Sequence, residues 1–75
     1  MYNRIKDLRI DKDIFQRDIA KILDITQRNY SYIETGKTDV PTDILIKLAD
    51  FYNTSIDYLL GRTDTIKPYP RKHKK

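Results

Sequence analysis

The densest group of side chains able to make directed hydrogen bonds lies near the middle of the chain. Its members share helical spacing and are Gln27, Arg28, Ser31, Tyr32 and Thr35. Residues three and four apart lie on one face of a helix, so these five form a common outer surface. The surface is rich in donors and acceptors and contains no carboxylate. Such a surface suits the edges of base pairs in a DNA major groove.

The stretch from Gln16 to Gly36 predicts two short helices that hold this surface in place. Apolar residues recur on the inner face of each helix. They are Ile19, Ala20 and Leu23 in the first helix and Tyr30 and Ile33 in the second. Thr26 has a hydroxyl that can cap the second helix, and Gly36 is suited to end it. Two short helices separated by a turn of about three or four residues indicate a helix-turn-helix.

Apolar periodicity and end signals predict an all-α domain of five helices in total. Their expected spans are about Asn3–Lys12, Gln16–Leu23, Gln27–Thr35, Pro41–Phe51 and Ile56–Leu60. Asn3 is the expected cap of the first helix, and Pro41 is expected in the first turn of the fourth. The fifth helix is expected to be capped by Ser55, or by Thr54 with Asp57 completing a capping box.

The composition favours one small cytoplasmic domain. With 75 residues the chain has room for a single domain, and we expect no separate sensor or catalytic domain. It contains no cysteine, which excludes disulfides and thiolate metal sites and fits a reducing compartment. No stretch approaches the roughly 20 apolar residues of a membrane span. The amino terminus carries charges throughout and is not a signal peptide.

The net charge of +4 is distributed unevenly along the chain. Residues 1–61 hold 9 basic and 10 acidic side chains, whereas residues 62–75 hold 6 basic and 1 acidic. Residues 1–61, the predicted DNA-binding domain, are therefore not basic overall, whereas residues 62–75 form a predicted basic tail without periodicity, disordered or extended. Such a tail can add sequence-independent attraction to phosphates. His73 has no ligand-spaced partner and is interpreted as a tail charge rather than a metal ligand.

Spaced residues along most of the chain resemble those of the lambda-repressor-like, Cro-type helix-turn-helix regulators, the XRE family. The matching residues are Ile5, Leu8 and Arg9, then Gln16, Ile19-Ala20, Ile25-Thr26, Ile33-Glu34, Gly36, Lys47-Leu48-Ala49 and the run from Ser55 to Gly61. Three positions depart from the family pattern. Asp24 replaces a turn glycine, Tyr30 replaces a branched aliphatic residue, and Phe15 replaces a capping residue. We expect the fold to tolerate all three, with Asp24 left-handed and Tyr30 buried with its hydroxyl bonded.

The resemblance implies roles for individual residues. The bases are expected to be read by Gln27, Arg28, Ser31 and Tyr32. Arg28 suits guanine O6 and N7, and Gln27 suits adenine N6 and N7. Phosphate contacts are expected from Gln16, Arg17, Thr26, Thr35, Lys37 and Thr38. Arg9 and Glu34 are expected to form a structural ion pair, and the segment around Tyr58 to Leu60 is expected either to contact a second copy or to complete the core.

These observations predict a sequence-specific transcriptional regulator, in the form of a repressor that binds a palindromic operator in double-stranded DNA. It would act as a homodimer, formed in solution or only on DNA, without a cofactor, a small-molecule ligand or a membrane. The alternative is an antitoxin or other protein-interaction partner that uses the same fold. An enzyme is disfavoured, because the chain offers one histidine, no cysteine and no glycine-rich phosphate loop.

Overall fold

The structure is a computed structural model that describes residues 4–70, and these residues form five helices. The helices are α1 (Ile5–Asp11), α2 (Gln16–Leu23), α3 (Gln27–Thr35), α4 (Thr42–Tyr52) and α5 (Ile56–Leu59). The prediction of an all-α, five-helix domain is confirmed. The two helices of the helix-turn-helix, α2 and α3, begin and end at the predicted residues.

The predicted starts of α1 and α4 need correction. The expected cap Asn3 lies outside the described residues, and Arg4 occupies the N-cap position of a helix that begins at Ile5. Pro41 is at the N-cap of α4 and not in its first turn, because its ψ of 150° is extended. The position still suits proline, since an N-cap needs no backbone N–H within the helix.

Ser55, one of the two expected caps of α5, caps the helix in the structure. The Ser55 hydroxyl accepts a hydrogen bond from the Tyr58 backbone N–H at 3.0 Å. The alternative capping box is wrong, because the Thr54 hydroxyl donates instead to the carbonyl of Ile66. The helix is one residue shorter than predicted and ends at Leu59.

Each of the five helices is followed by a residue in the left-handed conformation. These residues are Asp13, Asp24, Gly36, Asn53 and Gly61. After α2, the Asp24 N–H bonds to the Lys21 carbonyl at 3.1 Å and the Ile25 N–H bonds to the Ala20 carbonyl at 3.0 Å. This paired arrangement is a Schellman motif, which satisfies the last carbonyls of the helix. Asp24 has a φ of 61° and therefore adopts the expected conformation in place of glycine.

The core lies between the inner faces of the helices. Its most deeply buried side chains are Tyr30, Ile5, Ile19, Leu23, Leu48 and Leu59. Tyr30 is fully buried, as predicted. Its hydroxyl does not reach hydrogen-bond geometry with any group of residues 4–70, although the Glu34 carboxylate lies close enough to raise the pKa of the phenol. The buried hydroxyl of Tyr52 also has no hydrogen-bond partner among these residues. Both tyrosines therefore contribute to the core through their rings.

Residues 62–70, here called the C-terminal segment, contain no helix and lie against α4 and α5. The Arg4 guanidinium donates to the Thr63 carbonyl at 2.7 Å. Near the end of the segment, the Tyr69 hydroxyl donates to the Asp57 carboxylate at 2.8 Å. The remaining basic residues of the predicted tail, Arg71 to Lys75 with His73 among them, lie outside the described residues.

Candidate nucleic-acid interface

The amino end of α3 is held by a cap and is free of negative charge. The Thr26 hydroxyl accepts a hydrogen bond from the Asn29 backbone N–H at 3.1 Å, and the first turn contains no acidic residue. This bond uses an oxygen lone pair of Thr26 and leaves the hydroxyl hydrogen available to a phosphate. The positive end of the α3 dipole is therefore not neutralised by a neighbouring carboxylate of its first turn.

The predicted base-reading residues share the outer face of α3. Gln27 and Arg28 are exposed, and Ser31 and Tyr32 are half-buried one turn further along. The side chains of Gln27 and Arg28 make no hydrogen bond to any other part of residues 4–70. Their donors and acceptors are thus available to a ligand that approaches the amino end of the helix.

Three predicted phosphate contacts, Thr35, Lys37 and Thr38, lie at the carboxyl end of α3 and in the loop that follows it, where hydrogen bonds join residues 35–38 to Tyr32. The Tyr32 carbonyl accepts hydrogen bonds from the Lys37 N–H at 2.9 Å, the Thr38 N–H at 3.3 Å and the Thr35 hydroxyl at 3.2 Å. Gly36, at a φ of 80°, turns the chain back over the helix. As a result, the Lys37 ammonium lies 4.8 Å from the centre of the Tyr32 ring.

Two further predicted phosphate contacts, Gln16 and Arg17, lie at the amino end of α2, and only Arg17 has an exposed side chain. Arg17 is largely exposed, and its guanidinium lies 5.1 Å from the centre of the Phe15 ring. Phe15 provides no side-chain cap, as its residue type predicts. The Gln16 amide instead turns inward and donates to Glu34 Oε1 at 3.0 Å. Its side chain is therefore engaged within the protein, while the backbone N–H groups of Gln16 and Arg17 have no hydrogen-bond partner among residues 4–70.

A buried carboxylate joins the first three helices. Glu34 of α3 receives the Gln16 amide from α2 and two guanidinium nitrogens of Arg9 from α1. The third guanidinium nitrogen of Arg9 donates to the Ile14 carbonyl at 2.7 Å. The side chains of Arg9 and Glu34 are only 13% and 2% exposed. The residues that the sequence assigns to an ion pair are thus in direct, mostly buried contact.

The charge state of this cluster follows from its contacts. Burial alone would raise the pKa of Glu34, but hydrogen bonds from Arg9 and Gln16 stabilise the carboxylate, and the net pKa is below its ordinary value. The hydrogen bond to Glu34 raises the pKa of Arg9. Burial and the adjacent Glu34 carboxylate raise the pKa of Tyr30. At neutral pH the cluster therefore contains one carboxylate, one guanidinium and a neutral phenol.

The pattern of the helix-turn-helix family matches residues 5–59, a span that contains all five helices. The chain belongs to the XRE-type helix-turn-helix family. The resemblance predicted from the sequence is thereby confirmed. This family comprises regulators rather than enzymes, in agreement with the prediction that the chain is not an enzyme.

Curated relatives extend the comparison to whole helix-turn-helix proteins. The chain is 39% identical to the HTH-type transcriptional regulator ImmR of Bacillus subtilis (strain 168) over 85% of its own length and 50% of that protein. It is 29% identical to the cryptic phage CTXphi transcriptional repressor RstR of Vibrio cholerae, over 84% of the chain and 57% of that protein. It is 35% identical to the SPbeta prophage-derived uncharacterized HTH-type transcriptional regulator YonR of Bacillus subtilis (strain 168), over 80% of the chain and 56% of that protein. The chain therefore spans about half the length of the curated relatives it matches. No solved structure matches it significantly.

Three contacts of this helix-turn-helix domain were not predicted from the sequence. They are the Gln16 bond to Glu34, the Lys37 ammonium over Tyr32, and the Arg17 guanidinium over Phe15. Only the second has a local signal, since Gly36 predicts a left-handed turn that folds residue 37 back over the helix. The described residues contain no cluster of three potential metal ligands. Within the same range, no helix is long and apolar enough to cross a bilayer.

Proposed function

We propose that this chain is a sequence-specific DNA-binding transcriptional regulator of the cytoplasm, a repressor that binds a palindromic operator as a dimer. The observation that carries the proposal is the outer face of α3, where Gln27 and Arg28 are exposed and unbonded beside a capped, carboxylate-free helix start. Two relatives support it by name, since one is called a transcriptional regulator and the other a phage transcriptional repressor. No cofactor takes part in the proposed activity.

In the proposed complex, the amino end of α3 enters the major groove. Arg28 pairs with guanine O6 and N7, and Gln27 pairs with adenine N6 and N7. Ser31 and Tyr32 contact the adjacent base pair from one turn further along the helix. These side chains supply the direct sequence preference, because base-edge contacts distinguish one sequence from another and phosphate contacts do not.

The proposed backbone contacts lie on both sides of that helix. Arg17, Thr26 and the first N–H groups of α2 take one phosphate region, and the loop with Thr35, Lys37 and Thr38 takes another. In this proposal Gln16 contributes its backbone N–H, since its amide already donates to Glu34. Backbone contacts fix the orientation of α3 without reading sequence.

A dimer would place two α3 helices about 34 Å apart, one turn of DNA. Of the residues considered for the dimer contact, Leu59 is fully buried and completes the core. Tyr58 is half-buried under the Arg4 guanidinium, 4.3 Å from its ring centre, and Leu60 is half-buried beside it. Tyr58 and Leu60 are therefore the residues of this segment that remain available to a second copy.

The experiment that tests the proposal is selection of bound duplexes from a random pool at about 0.15 M salt, where non-specific binding is already weakened. A palindromic motif with half-sites about 10 base pairs apart is the expected result. Arg28→Ala should relax the preference at one position, whereas Lys47→Ala, an equal loss of charge on α4, should leave the motif unchanged. Enrichment of no motif by the wild-type chain would contradict the proposal and favour the protein-interaction alternative.

A further inference from the structure

The Tyr32 ring and the Lys37 ammonium form a contact that the proposed mechanism does not yet use. Their separation of 4.8 Å lies within the range over which a cation is attracted to the face of an aromatic ring. Among residues 4–70, no carboxylate lies within ion-pair distance of Lys37, and the Tyr32 hydroxyl has no hydrogen-bond partner. Within these residues, no carboxylate therefore competes with the Tyr32 ring for the Lys37 ammonium.

The backbone makes this contact a property of the fold rather than of two independent side chains. Gly36 directs the chain back along α3, and three donors from residues 35–38 converge on the Tyr32 carbonyl. The backbone of Lys37 is thus bonded to the same residue whose ring its side chain covers. Because the loop and the helix are tied at this point, the backbone positions from which the two side chains extend keep a defined separation, and that separation allows the contact.

We propose that Lys37 is a positioning residue for base reading by Tyr32, and this inference rests on the proposed function. The ammonium covers one face of the ring and so limits the orientations that Tyr32 can adopt. The opposite ring face and the hydroxyl are left to meet one base pair. An ammonium has three N–H donors and one is sufficient to face the ring, so Lys37 can contact a phosphate at the same time.

This arrangement couples two kinds of contact that are usually separate. A pure phosphate contact changes the affinity for every sequence equally, whereas a base contact changes the preference at one position. If Lys37 both contacts a phosphate and positions Tyr32, replacing Lys37 must weaken binding to every sequence and also reduce the preference at one base pair. Arginine at position 37 should retain both effects, because a guanidinium also stacks on aromatic rings and binds phosphate.

The contact itself can be tested without DNA. In the nuclear magnetic resonance spectrum of the free chain, the side-chain methylene protons of Lys37 next to the ammonium should be shifted by the Tyr32 ring current. Tyr32→Leu should abolish that shift, and Tyr32→Phe should preserve it. Unshifted Lys37 resonances in the folded wild-type chain would overturn the inference whatever the chain does with DNA.

The consequence is tested by repeating the duplex selection with Lys37→Met and Lys37→Arg. Lys37→Met should weaken binding to all sequences, lower the salt slope by about 0.9, and reduce the preference at one base pair roughly two- to five-fold. Lys37→Arg should retain the wild-type preference. In a Tyr32→Leu background, Lys37→Met should weaken all sequences equally. Lys47→Met serves as the control of equal charge loss and should leave the motif unchanged.

The outcomes separate this inference from the function on which it rests. A wild-type chain that selects no motif would overturn the proposed function, and this inference with it. A wild-type motif that persists unchanged in Lys37→Met, with weaker binding to every sequence, would overturn this inference alone, because Lys37 would then be only a phosphate contact.

Discussion

Replacing Glu34 with glutamine should destabilise the domain strongly, because it removes the negative charge at the junction of α1, α2 and α3. The side chains involved are almost inaccessible to solvent, with Arg9 13% and Glu34 2% exposed. Truncating one member of such a buried pair typically costs about 3–5 kcal/mol, since the other charge is left without compensation. Glutamine retains an oxygen that can accept from Arg9, so we expect about 2–3 kcal/mol, the range of a hydrogen bond to a charged group.

Thermal and urea unfolding, followed by far-ultraviolet circular dichroism, measure this loss. For a domain of this size, each kcal/mol lowers the midpoint temperature by about 4–8 °C, so a loss of about 2–3 kcal/mol in Glu34→Gln should lower it by about 8–24 °C. Asp18→Asn is the matched control. Its carboxylate lies 3.9 Å from the Arg17 guanidinium, but both side chains are more than half exposed, and such a pair contributes about 1 kcal/mol or less.

The dependence on pH gives a second test of the same carboxylate. Because the pKa of Glu34 is lowered in the folded state, its stabilising contribution is complete above the unfolded-state pKa of about 4.3. That contribution is lost as the pH falls through the lower, folded-state pKa. The free energy of unfolding should therefore fall less steeply below pH 4.3 in Glu34→Gln than in the wild-type chain. Equal stability of the two proteins at neutral pH would refute the reasoning.

Three further predictions address other features of the molecule. Tyr52→Phe removes a buried hydroxyl that has no partner within residues 4–70 and should leave the free energy of unfolding unchanged or raise it by up to about 1 kcal/mol; a loss of more than that in urea unfolding would show that the hydroxyl is bonded. Gly36→Ala should cost about 1–2 kcal/mol, because φ is 80° and no atom lies within 4 Å of the added methyl, so only backbone strain is introduced. Gly36→Asn should cost less in the same assay, and an alanine variant as stable as the wild type would contradict the strain argument. Removing Arg71 to Lys75 should weaken binding to all duplexes and lower the salt slope by up to about 0.9 per lost phosphate contact; an unchanged slope would exclude the basic end as a DNA contact.

The sequence predicts best those features whose physical cause is local. The bounds of α3 follow from Thr26, which caps the helix with its own hydroxyl, and from Gly36, which enters the left-handed region without steric cost. The apolar spacing likewise predicts which face of each helix is buried. Pro41 shows the limit of such signals, since its fixed φ suits both the N-cap and the first turn and only ψ separates the two.

Contacts between distant residues are less accessible to sequence reasoning. A half-buried glutamine at the start of α2 and a glutamate 18 residues later carry no periodic signal that they meet. The same holds for Arg4 and Thr63, which are 59 residues apart. These contacts form only when the core brings the helices together, so composition and residue spacing do not predict them. The pairing of Arg9 with Glu34 was expected solely from the resemblance to a family.

The Glu34 cluster also explains how a small domain can hold in register the two helices that carry the proposed DNA contacts. Gln16 opens α2, where the proposed phosphate contact begins, and Glu34 lies near the end of α3, whose outer face carries the proposed base readers. Their hydrogen bond spans the two helices directly, and Arg9 ties both to α1. Because the carboxylate is buried and accepts three hydrogen bonds from Arg9 and Gln16, a shift of α3 relative to α2 would break charged hydrogen bonds without replacement by water. The distance between the proposed phosphate and base contacts is thus maintained by a carboxylate that is itself almost inaccessible to solvent.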